Sequence, residues 1–160
     1  MAGAALAQQL PSLSVRTAGT LTVDGQPMSW RTRAALEHVG VAVPTGHRSR
    51  QVAVADLDTA SLVVAMAPEH VAWVRREHPP AAARTGTLRR LARDLPTADG
   101  TTLADRVTSL RLDAVALEPW EELVDPGGGE VDEFMACAAD VVVLIGELVA
   151  ALALLTPASS

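Results

Sequence analysis

A single cysteine, Cys137, stands among 160 residues, which excludes an internal disulfide framework and any cysteine-rich zinc site. The four histidines lie far apart and show no ligand spacing, so neither a metal nor a cofactor is expected. Positive charge is also scarce. With 13 Lys and Arg against 19 Asp and Glu and a net charge of -6, the chain is disfavoured as a binder of bare nucleic acid or of an anionic membrane surface. No basic region precedes the apolar N-terminus, so it does not read as a signal peptide, and a reducing, cytoplasmic setting is expected. The run Val141 to Leu155 is apolar, yet it is short for a membrane span and carries Glu147, so it reads as a core helix. No repeat, low-complexity block or interdomain linker interrupts the chain.

What is present supports one domain. At 49% apolar residues, the length suffices for a single buried core, expected over 1–155, with a polar tail at 156–160. Met1 to Leu10 has helical spacing and is stopped by Pro11. Leu13 to Thr17 alternates and reads as a strand feeding a loop at Ala18-Gly19. Ala35, Leu36 and Val39 line a short helix that Gly40 ends, with Trp30 at core or rim. Gly46 to Gln51 is a small basic cluster that reads as a solvated loop without chemistry.

Leu62 to Met66 is a continuous apolar run, expected as a strand covered on both faces, and Pro68-Glu69-His70 opens a helix behind it. His70 reads as structural. His78-Pro79-Pro80 breaks that helix, Arg84 to Leu88 supplies a brief strand, and a basic helix follows over Leu88 to Asp94. Leu103, Val107, Leu110 and Leu112 to Leu117 suggest one amphipathic helix running toward Pro119. From Val131, the spacing of Phe134, Ala138, Val141, Ile145, Leu148 and Leu152 gives a stripe at helical period, with Cys137 beside it as a buried small hydrophobe. Strands alternating with helices predict an α/β fold, a three-layer parallel sheet with helices on both faces.

One loop is built to present chemistry. Val124-Asp125-Pro126-Gly127-Gly128-Gly129-Glu130 fixes a carboxylate beside a proline and three glycines at the entrance to the long apolar helix. A general acid needs such placement. These residues alone favour a plainer reading, in which Asp125 bonds its own backbone or begins to cap the helix.

Met1-Ala2-Gly3-Ala4-Ala5-Leu6, Thr17-Ala18-Gly19-Thr20, His47-Arg48-Ser49-Arg50-Gln51, Ala65-Met66 with Glu69-His70, and Val124-Asp125-Pro126 together resemble low-molecular-weight protein tyrosine phosphatases. Their order and spacing match across nearly the whole chain, and arsenate reductases of the same fold are close relatives. The resemblance implies hydrolysis of phosphate monoesters on a phosphorylated protein or small aryl phosphate, with Asp125 as the general acid and facing Ala18-Gly19-Thr20. It also implies a nucleophile loop of Cys, five residues, Arg and Ser or Thr, which these residues lack together with the central strand before it. A sequence that starts late, through truncation or a misplaced start, is the expectation. A pseudophosphatase that binds a partner protein without catalysis is the alternative, and arsenate reduction is disfavoured by the cysteine count. The two strands flanking the missing one are expected to leave unpaired edges and to fold poorly alone. Two further departures are Gly127-Gly128-Gly129, where the family often has aromatic residues, and Ser61, where it commonly has aspartate.

Overall fold

The structure is a computed structural model that describes residues 1–155, and the expected tail at 156–160 lies outside the described residues. Two compact units divide the chain: 1–52 with 124–146, and 53–123 with the stretch from 147 onward.

In the first unit, α1 (Ala2–Gln9) begins without a side-chain cap. α2 (Trp30–His38) starts at Ser29, whose hydroxyl accepts the Thr32 amide, and buries Ala35 and Leu36. Gly40 ends it as expected. At φ +71° Gly40 turns the chain left-handed, its amide bonds Glu37 O, and the Val41 amide reaches back to Leu36 O, satisfying two orphan carbonyls while Val41 buries its own side chain. Trp30 lies on the surface at 63% exposure. Leu13 to Thr17 forms no strand, correcting the expectation. Alternation supplies a side-chain pattern, but a strand also needs a ladder partner, and among the described residues Leu13 to Thr17 has none, the neighbouring Gly19 making an isolated bridge to Gln51.

In the second unit, β1 (Val63–Ala65) and β2 (Thr85–Thr87) pair in parallel with Val63 opposite Thr85 and Ala65 opposite Thr87. α3 (Val54–Thr59) precedes β1, while α4 (Pro68–Glu77) and α5 (Pro79–Ala82) make the crossover. α6 (Leu88–Asp94) follows β2 directly, its first turn capped by the Thr87 hydroxyl. Both α4 and α6 pack against the two strands, which is what makes so short a sheet sustainable. Gly86 lets the helix pack closely, because a Cβ there would lie 3.0 Å from Leu91 Cγ and 3.4 Å from Leu112 Cδ2 and would press those side chains aside. β1 was expected to be covered on both faces. Val63 and Val64 are only half-buried, since β1 has one ladder neighbour among the described residues.

α7 (Leu103–Ser109) is shorter than its apolar pattern implied. Arg111 takes φ +49°, and Arg75 Nη2 donates to Leu112 O at 2.6 Å and to Val115 O at 2.8 Å. A charged donor at those carbonyls rewards a turn, where a continued helix would have consumed them. α8 (Val131–Ala153) has 23 residues and covers the helical stripe read from sequence between Val131 and Leu152. It is long and apolar enough to cross a membrane by length and composition, but Ala138, Val141, Ile145, Leu148 and Ala151 are buried along one stripe.

The second unit contains a fully buried charge. Glu121 has no exposure, and Arg90 has 7%. Arg90 Nε donates to Glu121 Oε2 at 2.9 Å and Nη2 to Oε1 at 2.5 Å, while the Thr87 hydroxyl donates to Oε2 at 2.7 Å and the Glu118 amide to Oε1 at 2.8 Å. Trp120 lies beneath Arg93, 3.9 Å from its guanidinium carbon. Burial pushes the Glu121 carboxyl up, but the Arg90, Thr87 and Glu118 bonds together hold it below the usual carboxylate value.

Replacing Arg90 with Met should therefore cost about 3–5 kcal/mol, because it strands a buried carboxylate, whereas Arg90→Met with Glu121→Leu should be near neutral. Urea unfolding measures both. Since the folded value of Glu121 is depressed, its stabilisation is present above about pH 4.3, the unfolded carboxylate value, and is lost as pH falls through the folded value beneath it. The wild type should lose stability relative to the double variant only in that acid range.

Candidate functional site

The Asp125 loop is a pair of nested turns. Asp125 Oδ1 accepts the Gly127 amide at 2.9 Å, and the Gly129 amide bonds Pro126 O at 2.8 Å. Gly128, at φ +83°, occupies the third position of that second turn, where a left-handed residue is required. Pro126 before it restricts the entry, so this sequence has few alternatives to the observed bend.

The cap of α8 comes from elsewhere. Glu133 Oε2 accepts the Glu130 amide at 2.7 Å, and Asp132 and Glu133 place negative charge in the first turn. Asp125 thus realises one of the two plain roles read from sequence, bonding its own backbone, and not the other. It is exposed, and its Oδ2 has no hydrogen-bond partner among the described residues.

An open hollow of about 500 Å³ lies in the same unit, bordered by Met1, Gly3, Ala4, Thr17, Ala18 and Gly19 and by the stretch from His47 to Arg50. Asp125 is not among its lining residues. The loops at 19–27 and 48–52 are laced together. Gly19 N–H bonds Arg50 O, Gln51 N–H bonds Asp24 Oδ1 at 2.6 Å, and Gln51 Nε2 donates to Thr20 O. Ser49 Oγ donates to Val23 O and accepts the Gln26 amide. The basic cluster is therefore more than the solvated loop expected, since Ser49 and Gln51 are structural hydrogen-bonding residues within it.

Cys137 is half-buried and not the fully buried residue expected. Burial pushes its thiol up; the Met1 amino group pulls it down, and Asp125 and Asp140 add to the rise. It sits within α8 and is not followed by a phosphate-cradling loop, and Val143, six residues on, is 62% exposed on that helix. A thiol with a raised pKa on a regular helix lacks the amide cradle and guanidinium that make a phosphate-attacking thiolate. No group of His, Cys, Asp and Glu suited to a metal ion occurs among the described residues. His70 lies in the first turn of α4.

No protein-family model matches the chain, and no curated protein matches it. Solved structures do. The YwlE arginine phosphatase from Geobacillus stearothermophilus is 25% identical with TM-score 0.72 over 95% of this chain and 82% of that one. A low-molecular-weight protein tyrosine phosphatase from T. tengcongensis is 19% identical with TM-score 0.70 over 93% of this chain and 87% of that one. Wzb of Vibrio vulnificus, solved with benzylphosphonate, is 15% identical with TM-score 0.70 over 93% and 86%. The α/β fold of this chain is thus that of the low-molecular-weight protein tyrosine phosphatases.

If the loop conformation is set by Gly128, then Gly128→Ala should cost about 1–2 kcal/mol for the forced left-handed residue, even though a Cβ there meets nothing within 4 Å. Thermal unfolding of that variant against the wild type is the check.

Proposed function

We propose, for a chain with the low-molecular-weight phosphatase fold, that residues 1–160 carry the scaffold and the general acid, Asp125, of a phosphate-monoester hydrolase but not its nucleophile. In that chemistry a thiolate attacks phosphorus as the ester P–O bond breaks, and the acid protonates the departing oxygen. Water then attacks the phosphocysteine, giving up a proton to the same carboxylate as the S–P bond breaks. The observation that supports the reading is the Asp125 turn, one oxygen tied to Gly127, within a fold that solved phosphatases share. The two units then form one domain, in a reducing, cytoplasmic setting. Its substrate is a phosphorylated protein or a small aryl phosphate. Three glycines after Pro126 supply no aromatic wall, so this loop does not itself select tyrosine.

A pseudophosphatase that binds a partner protein is the second reading, favoured by the absence of a Cys, five residues, Arg pattern from all 160 residues. Arsenate reduction needs additional thiols. Residues 1–160 should show no turnover of an aryl phosphate, while a version with the fold's strand and cysteine loop joined ahead of Met1 should be active. In that version Asp125→Ala should lower kcat by about 10²–10⁴-fold. Activity of the extended protein that is indifferent to Asp125→Ala removes the general acid, and a well-folded but inactive extended protein favours the binding module.

A further inference from the structure

We propose that the hollow in the first unit docks an extended acidic segment of a partner protein, which gives the second reading above its partner's chemistry and rests on that reading. The hollow, of about 500 Å³, runs between α1, which contributes Ala4 and Ala7, the start of α2 at Ser29 and Thr32, and the stretch 47–50. Its volume suits a ligand, since binding pockets span about 300–1,000 Å³.

Charge singles it out. The chain has a net charge of -6, yet no Asp or Glu lines the hollow, whereas His47, Arg48 and Arg50 do. Residues 1–52 hold five arginines and two carboxylates. Both carboxylates are placed elsewhere, Asp24 accepting the Gln51 amide and Glu37 lying in the last turn of α2. Arg48 is exposed, and among the described residues its guanidinium has one partner, the His47 carbonyl at 3.0 Å. Most of its donors therefore face no protein acceptor, and a carboxylate is the group that a guanidinium fits.

The rim calls for a chain and not a bare anion. Thr22 lines the hollow, and its neighbours Leu21 and Val23 are 93% and 69% exposed; Ser29 lines it too, and Trp30 next to it is 63% exposed. Large apolar side chains beside arginines are the composition of a protein-binding hot spot. A small anion would leave them bare, while successive residues of an extended segment alternate in direction and supply both acidic and apolar contacts. The loops are also set before any partner arrives. Ser49 Oγ bridges Val23 O and the Gln26 amide, and the Gly25 amide bonds Ser49 O at 2.8 Å, which lowers the ordering cost of docking.

The test uses the 160-residue chain and short fluorescein-labelled peptides that alternate Leu with Glu, Gln or Lys, read by anisotropy. The Glu peptide should bind at least about tenfold more tightly than the Gln peptide, with a preference that falls as salt is raised, and the Lys peptide should not bind. Arg48→Glu should abolish the preference. Arg33→Glu makes the same charge change at an exposed position of α2 that does not line the hollow, and should leave the preference intact. Leu21→Ser with Val23→Ser should weaken the Glu peptide by about fivefold or more while keeping its preference over Gln, and this surface pair decides the matter if Arg48→Glu fails to fold. Equal binding of the Glu and Gln peptides, an equal loss in Arg33→Glu, no loss in the Leu21 and Val23 variant, or displacement of the Glu peptide by an equimolar single-stranded oligonucleotide overturns the site. The second reading itself fails by a different result, turnover of an aryl phosphate by the extended protein, which leaves the peptide preference of the 160-residue chain unaltered.

Discussion

A carboxylate with no access to water is the constraint on which the second unit depends. Glu121 can remain ionised there only because Arg90, Thr87 and Glu118 together fill its lone pairs. Those partners come from β2's last residue, from α6, and from the loop after α7, so one side chain ties three consecutive parts of the unit to each other. Thr87 serves twice, accepting the Arg90 amide as the cap of α6 and donating to Glu121. Cap, helix and loop are therefore coupled through a single hydroxyl, and none of the three can move without uncovering charge.

The sheet is the complement of this arrangement. Two three-residue strands contribute few ladder bonds, and a two-stranded sheet alone is marginal. The helices α4 and α6 on β1 and β2 supply the burial that the strands lack. β1 keeps one side without a strand partner among the described residues, and Val63 and Val64 there are half-buried.

Elements closed by their own residues were legible in the sequence. α4 begins at Pro68, α6 spans Leu88–Asp94 as read, and Gly40 terminates α2, because prolines, caps and left-handed glycines act within a few residues. Elements that depend on distant partners were not. Leu13 to Thr17 alternates but has no ladder, and the apolar residues after Leu110 continue a helical pattern that Arg75, distant in sequence, diverts into a turn. The Asp125 bend was readable from Asp-Pro-Gly-Gly-Gly. The buried fork was not, since Glu121 among Pro119, Trp120 and Glu122 looks like any surface acid, and its partner lies 31 residues earlier. Cys137 was placed on the right helix but judged more buried than it is.

The central claim is that this scaffold presents a carboxylate for proton transfer and no thiol able to attack phosphorus. It is tested most directly by exposing the 160-residue chain to an excess of an aryl phosphate, quenching in acid, and locating any phosphoryl group by mass spectrometry of the peptides. The prediction is no adduct on any residue, Cys137 included, because its thiol is raised by burial and lacks an anion cradle. A phosphorylated Cys137 that forms and decays with turnover would contradict it.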